Sequence, residues 1–146
     1  MGDAIVIRKL QEADIDRVAE IWLDTNIRAH FFIAASYWRD HFEAVKGLLL
    51  QTDVYVYEEQ NKIQGFVGIS GTYIEGLFVW HEAQSRGIGK ELLDFVKRIH
   101  KSLHLSVYQK NSRAVAFYQK ENFAVQREEI DADTGENEYL MVWNPS

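Results

Sequence analysis

A glycine-containing turn between a strand pattern and a helix pattern constrains this chain more than any other feature. Residues 72–79 read TYIEGLFV, which is typical of a strand, and residues 92–99 place apolar side chains on one helix face. Between them, residues 84–90 read QSRGIGK. Backbone N–H groups at a helix N-terminus carry partial positive charge, and glycine lets a ligand approach the backbone closely. The turn therefore predicts a phosphate or diphosphate site, although many helices begin after such a turn and bind nothing.

Two well-known phosphate loops do not fit this turn. No Ser or Thr follows Lys90, and the four-residue gap before a Gly-Lys pair is missing, which excludes a nucleotide triphosphatase P-loop. Leu92 stands where a dinucleotide-binding fingerprint has its third glycine, and no repeating strand-helix-strand pattern precedes it. A different kind of phosphate site is therefore expected.

Short strand patterns alternate with helix patterns along the whole chain. Their order predicts a mixed α/β (α+β) fold in a single domain, residues 1–146, because no linker or repeat interrupts it. Strands are predicted at 4–8, 53–57, 63–68, 72–79, 103–108, 123–128 and 138–143, and helices from about residue 15, at about 37–50, from near 89, and at about 112–121.

The charge of the chain is concentrated in one segment. The formal net charge is −6, and residues 121–138 carry seven acidic side chains against Arg127 alone. Without clustered Lys and Arg, nucleic-acid binding is not expected. The acidic segment either attracts a cationic partner or forms a solvated hairpin.

Composition excludes several other classes of protein. A 47% hydrophobic and 26% charged composition is typical of globular proteins, and the chain has no cysteine. No apolar run is long enough to span a bilayer, so no membrane partner is expected and a cytoplasmic location is the default. The five histidines lack the spacing of metal ligands, which predicts no metal site.

Three blocks together resemble the GNAT N-acetyltransferase superfamily. Residues 77–79, LFV, followed by Gln84-x-x-Gly87-x-Gly89, are similar to the family's acetyl-coenzyme A signature. Downstream, residues 107–111 and 116–123 match the family's strand, asparagine and Phe-Tyr helix, with the spacing found in small YiaC-like bacterial acetyltransferases. The resemblance implies a mixed sheet of about six or seven strands, splayed at the cofactor site and flanked by about four helices.

The sequence departs from the family pattern at two places. Asn122 stands where the family usually has glycine, and Trp80-His81 stands where many relatives carry a proline nearby. Because asparagine also tolerates the left-handed conformation at a helix C-cap, we expect the turn at Asn122 to form. The path of the chain into the glycine turn is not specified by the pattern.

The resemblance implies acetyl-coenzyme A as the cofactor, coenzyme A as the product and no metal. The phosphates would lie against residues 84–90, and the pantetheine would run along 77–79 like an added strand. Family precedent places a bulge in this strand, which would aim one amide at the thioester carbonyl. Asn111 would either bind the pantetheine or cap the last helix. The implied cofactor-binding residues are Leu77, Phe78, Val79, Gln84, Ser85, Arg86, Gly87, Ile88, Gly89, Lys90, Asn111, Ala114 and Phe117.

Two residues are candidates for proton transfer. Tyr118 matches the tyrosine that the family uses as general acid toward the departing sulfur, and its alternative is a packed aromatic. Glu75 is the only carboxylate on the central strand, so it is the candidate proton acceptor, directly or through water. Its parity matches that of Tyr73, Leu77 and Val79, which predicts one shared face. Its alternative is an exposed strand glutamate.

The acceptor is expected to be a primary amine. Residues 26–38 correspond to the segment that lies over the acceptor site in these enzymes, and their aromatics form either a cation cage or ordinary packing. With the acidic segment, they suggest a cationic small molecule or peptide: a lysine side chain, a peptide N-terminus or a polyamine. The implied substrate-binding residues are His30, Phe32, Tyr37, Trp38 and Tyr73.

The sequence leaves two functions open. One is direct acetyl transfer to an amine in a ternary complex. The other is a non-catalytic domain that binds an acyl-coenzyme A as a sensor or partner module. A monomer or a homodimer is expected in either case.

Overall fold

The strand and helix patterns of the sequence become seven strands and four α-helices in a computed structural model, which describes residues 4–145. Short 3₁₀ turns at Glu12–Asp14 and His81–Ala83 precede α1 and the glycine turn, respectively. Along the chain the elements are β1 (Ile5–Lys9), α1 (Ile15–Ala29), α2 (Ala35–Leu49), β2 (Asp53–Glu59), β3 (Lys62–Ser70), β4 (Tyr73–Val79), α3 (Ile88–Arg98), β5 (Leu103–Tyr108), α4 (Ser112–Lys120), β6 (Ala124–Ile130) and β7 (Asn137–Trp143).

All seven strands join one mixed sheet. Their order is β1-β2-β3-β4-β5-β7-β6, and every neighbouring pair is antiparallel except β4 and β5. The predicted fold class, a mixed sheet of about seven strands with four helices, is confirmed. Short hairpins join the antiparallel pairs β2–β3, β3–β4 and β6–β7, whereas the parallel pair β4–β5 needs a crossover, which contains α3.

The parallel pair opens the sheet. The ladder between β4 and β5 covers two residue pairs, Tyr73 with His104 and Ile74 with Leu105. Toward their carboxyl ends these strands are no longer paired, so a gap separates residues 77–79 from the end of β5. The splayed sheet implied by the resemblance is therefore confirmed.

A β-bulge in β4 changes which side chains share a face. Gly68 pairs with Gly76 and Ile69 with Ile74, so Glu75 is the extra residue. The Cβ of Glu75 lies on the side of the sheet that carries Val54. The expected bulge is present, but the expectation that Glu75 shares a face with Leu77 and Val79 is wrong, because a bulge shifts the alternation by one residue.

Each face of the sheet buries its own apolar cluster. The cluster under α1 and α2 contains Val18, Val56 and Phe66, whereas Leu77 and Val79 pack against the other cluster, which contains the fully buried Leu92 and Leu93 of α3. Truncating a buried leucine of this kind to alanine costs about 2–5 kcal/mol. These clusters hold β4 and the start of α3 in place beside the gap.

Two turns of the fold use left-handed backbone at residues other than glycine. The hairpin between β2 and β3 turns at Gln60 and Asn61, which both have positive φ, at 54° and 63°. Asn122 adopts a φ of 73° directly after α4, so asparagine replaces the usual glycine as expected. Among the described residues, no helix combines the length and apolar character needed to cross a bilayer.

Candidate active site

A cavity of about 860 Å³ occupies the gap between β4 and β5. Its walls are the end of β4, the glycine turn (residues 84–90) with the start of α3, the length of α4, and the last turn of α1. This volume suits a cofactor-sized ligand. Twelve of the thirteen residues implied for cofactor binding line the cavity: Leu77, Phe78, Val79, Gln84, Ser85, Gly87, Ile88, Gly89, Lys90, Asn111, Ala114 and Phe117.

The glycine turn is shaped by left-handed backbone and by one side-chain anchor. Gly87 has a φ of 86° at the N-cap of α3, and Ser85 has a φ of 65°. The Gln84 side chain donates from Nε2 to the Val79 carbonyl at 3.0 Å, which ties the turn to β4. The first N–H groups of α3 are consequently presented at the cavity wall, where an anion is stabilised.

Basic side chains surround the cavity. Within residues 4–145, its wall carries five cations and one carboxylate, that of Glu121, although the protein has a net charge of −6. Arg28, Lys90 and Lys110 also pair with carboxylates, but the excess of basic side chains on one wall of an acidic protein favours a polyanionic ligand. The five cations are Arg28, Lys90, Lys110, Arg113 and Lys120.

Arg113 was not identified from the sequence, and its side chain contacts the glycine turn. From the first turn of α4, its guanidinium donates to Gln84 Oε1 at 3.2 Å and to Ser85 Oγ at 3.0 Å. A cation in the first turn of a helix opposes the helix dipole, so its position was itself a signal of a local role. Arg113 therefore joins α4 to the glycine turn across the cavity.

Arg86 and Lys90, which the resemblance implied for cofactor binding, have different positions relative to the cavity. Arg86 does not line the cavity, and its guanidinium forms an ion pair with Glu59 at the end of β2, at 2.8 Å. Lys90 does line it, with its ammonium 3.2 Å from the buried carboxylate of Glu121 and 3.2 Å from Asp94. These hydrogen bonds, first that with Glu121 and then that with Asp94, raise the pKa of Lys90.

Asn111 caps α4. Its Oδ1 accepts from the Ala114 N–H at 3.2 Å, and its Nδ2 lies 3.2 Å from His30 Nε2. The helix-capping interpretation is thus observed, and contact with a pantetheine arm stays a prediction. Asn111 and His30 both line the cavity.

Tyr118 lies on the α4 wall of the cavity and is 8% exposed. Its ring packs edge-on against Phe117 and Phe123. Burial raises the pKa of the Tyr118 hydroxyl above its ordinary value, so that the group stays protonated at neutral pH. It is both the packed aromatic and a protonated donor at the cavity, and its role as an acid stays a prediction.

The remaining candidates lie outside the cavity lining. Glu75 is exposed in the bulge, and Tyr73 packs beside His104 at the start of β4. Trp38 is 7% exposed and packs against Trp22 and His30, so ordinary packing describes its environment. Of the five residues implied for substrate binding, the cavity wall includes His30 and does not include Phe32, Tyr37, Trp38 or Tyr73.

The loop between β6 and β7, within the acidic segment, contacts one tyrosine at the end of β5 and one in α2. The hydroxyl of Tyr108 donates to Asp131 at 2.6 Å, and that of Tyr37 donates to Asp133 at 3.4 Å. Burial and, second, the neighbouring Asp131 carboxylate raise the pKa of Glu138. This surface is therefore a negatively charged patch bordered by phenolic rings.

In the part of the chain that the structure describes, no group of three or more His, Asp or Glu side chains is arranged to hold a metal ion.

Comparisons with known proteins agree with this geometry. Residues 51–125 match the family model described as an acetyltransferase (GNAT) domain. The chain is 36% identical over 140 residues to the peptidyl-lysine N-acetyltransferase YiaC of Escherichia coli, covering 94% of this chain and 93% of that protein.

Two solved structures share the fold. The solution structure of apo YjaB from Escherichia coli superposes with a TM-score of 0.86 at 23% identity, covering 96% of this chain and 97% of that one. The PaiA N-acetyltransferase of Thermoplasma acidophilum in complex with coenzyme A superposes with a TM-score of 0.80 at 21% identity, covering 97% and 99%.

The family match extends over the glycine turn, the end of β4 and α4, which form most of the cavity wall, whereas the last turn of α1 lies outside the matched residues. The family relationship inferred from the sequence blocks is confirmed. The chain belongs to the GNAT acetyltransferase family.

Proposed function

We propose that this protein transfers the acetyl group of acetyl-coenzyme A directly to a primary amine, with the cofactor bound in the cavity between β4 and β5. The observation that carries the proposal is one cavity wall that combines the glycine turn, five cations and a protonated tyrosine. Relatives named as peptidyl-lysine N-acetyltransferases and a neighbouring fold solved with coenzyme A support the same reaction.

Different parts of the cavity wall would bind different parts of the cofactor. The N–H groups at the start of α3, with Lys90 and Arg113, would hold the phosphates, because they are the anion-binding groups of the wall. The pantetheine would lie along residues 77–79, where β4 has no strand partner toward β5. The bulge at Glu75 would leave a backbone amide for the thioester carbonyl.

Tyr118 would protonate the departing thiolate. A buried phenol with a raised pKa remains a donor at neutral pH, and the developing sulfur anion is a good acceptor. The amine must lose a proton before it attacks, because a lysine-like amine has a pKa of about 10.4. Glu75, on the face away from Leu77 and Val79, would accept this proton directly or through water.

The acceptor would be a cationic amine, such as a lysine side chain of a peptide. Asp133 and Asp131 accept hydrogen bonds from the hydroxyls of Tyr37 and Tyr108, and the pKa of Glu138 is raised first by burial and then by the nearby Asp131 carboxylate. A lysine ammonium or a neighbouring basic residue of the peptide would be attracted there.

Thiol release from acetyl-coenzyme A, measured with a panel of lysine peptides and small amines, tests the proposal. Tyr118→Phe should lower kcat about 10²–10⁴-fold while the Kd for acetyl-coenzyme A, measured by calorimetry, stays near that of the wild type. Tyr55→Phe, on β2 and outside the cavity lining, is the matched control.

Each outcome bears on a separate part of the proposal. Wild-type protein that binds acetyl-coenzyme A tightly but releases no thiol with any amine would be a cofactor-binding sensor. Equal kcat for Tyr118→Phe and the wild type would remove the acid role and leave the acetyltransferase assignment in place.

A further inference from the structure

We infer that His30 is a positioning residue for the proposed transfer: its neutral imidazole accepts a hydrogen bond from Asn111 and so sets where α4 begins and where Tyr118 lies in the cavity. This inference rests on the proposed function. It concerns a contact between the end of α1 and the start of α4, which are 81 residues apart in the sequence.

The hydrogen bonds of Asn111 determine which nitrogen of His30 carries the proton. The amide oxygen of Asn111 accepts from the Ala114 N–H, so the amide nitrogen is the atom that faces His30. An amide nitrogen is a donor only, so His30 Nε2 must be the acceptor. The imidazole proton is therefore on Nδ1, and the ring is uncharged.

The surroundings of His30 keep the ring in this state. The residue is 8% exposed and lies between the rings of Phe32, Trp38 and Tyr108, at centroid distances of 5.0 to 5.6 Å. Burial lowers the pKa of His30 to about 4. Its Nδ1 is buried without a hydrogen-bond partner. Nε2 is therefore the ring nitrogen that forms a hydrogen bond, and its partner is Asn111.

The contact reaches Tyr118 through a short helix. Asn111 is the N-cap of α4, which has nine residues, and Tyr118 lies less than two turns further along. His30, Asn111, Ala114 and Tyr118 all line the same cavity. A shift in the start of α4 therefore moves the Tyr118 hydroxyl relative to β4, and displacements near 1 Å at a reacting group can cost about a hundredfold in rate.

Replacing His30 by glutamine or by asparagine distinguishes a hydrogen bond accepted at Nε2 from a role in packing alone. The oxygen of a glutamine side chain can reach the position of Nε2, whereas an asparagine side chain is too short and mimics Nδ1. We expect His30→Asn to lower kcat for thiol release roughly ten- to a hundredfold, with a smaller change in the KM for acetyl-coenzyme A. His30→Gln should recover most of that loss. Far-UV circular dichroism of both variants checks that each is folded.

Nuclear magnetic resonance of ¹⁵N-labelled protein tests the hydrogen bond without any activity. The wild-type His30 signals, assigned by their loss in His30→Gln, should show the proton on Nδ1. In Asn111→Asp, one carboxylate oxygen still caps Ala114 and the other is an acceptor, so the His30 proton should move to Nε2.

Three results would count against the inference. A wild-type His30 protonated on Nε2 would overturn the hydrogen-bond assignment. Equal kcat values for His30→Asn, His30→Gln and the wild type would overturn the positioning role while the acetyltransferase assignment stands. A wild-type protein that releases no thiol with any amine would overturn the proposed function and the positioning role together.

Discussion

Acid should destabilise this protein through His30 as the pH falls below about 6.5. Burial lowers the pKa of His30 to about 4 in the folded protein, against about 6.5 in an unfolded chain. Between these two values the unfolded chain binds a proton that the folded protein does not. The stabilisation from neutral His30 is therefore fully present above pH 6.5 and is lost as the pH falls from 6.5 to 4.

The size of the effect follows from the difference between the two pKa values. Each pKa unit corresponds to about 1.4 kcal/mol, so 2.5 units amount to about 3 kcal/mol in the free energy of unfolding. This conversion applies because His30 is 8% exposed and solvent screens it little. A loss of this size is a large share of the 5–15 kcal/mol typical of domains.

Urea denaturation of the wild type and of His30→Gln at pH 7 and pH 4 measures this contribution. The wild type should lose about 3 kcal/mol more than the variant between the two pH values, because glutamine does not titrate. The comparison of pH slopes cancels Glu138 and the other carboxylates, which both proteins retain. His41→Gln, at an exposed histidine of α2, is the matched control for removal of an imidazole. Equal losses for the wild type and His30→Gln would refute the reasoning.

Two further predictions concern charge. Arg113→Ala should weaken acetyl-coenzyme A binding about ten- to a hundredfold, whereas Arg86→Ala should change it less, because the Arg86 guanidinium pairs with Glu59 outside the cavity. Calorimetric titration of both variants decides this, and a larger effect at Arg86 would contradict it. Neutralising the acidic loop should raise the KM for lysine peptides at low salt and reduce its salt dependence, and a KM indifferent to these substitutions would remove the electrostatic part of the acceptor proposal. The substitutions are Asp131→Asn, Asp133→Asn and Glu136→Gln.

Features that depend on near neighbours in the chain were predictable. The helical period after the glycine turn placed α3, and the need for left-handed backbone explained Gly87 and Asn122, with φ values of 86° and 73°. The capping alternative for Asn111 follows from its place before a helix, and the structure bears it out. Each of these depends on dihedral preferences within a few residues.

Features that depend on distant partners were not predictable. Strand parity placed Glu75 with Leu77 and Val79, but a one-residue bulge opposite Gly68 put it on the other face. Arg86 stands inside the phosphate-site motif, yet its guanidinium turns to Glu59, 27 residues earlier. No periodicity in a single strand or loop reports a bulge or an ion pair made with another strand.

The amino-acid sequence by itself determined the order of strands and helices, the glycine turn and the family to which the chain belongs, because these are written in local patterns and spacings. Tertiary structure alone decided which cations surround the cavity, which side of the sheet carries Glu75, and that His30 meets Asn111 across 81 residues. A side chain acquires its partner, its burial and its protonation state only when distant segments pack together, and a linear pattern contains none of these distances.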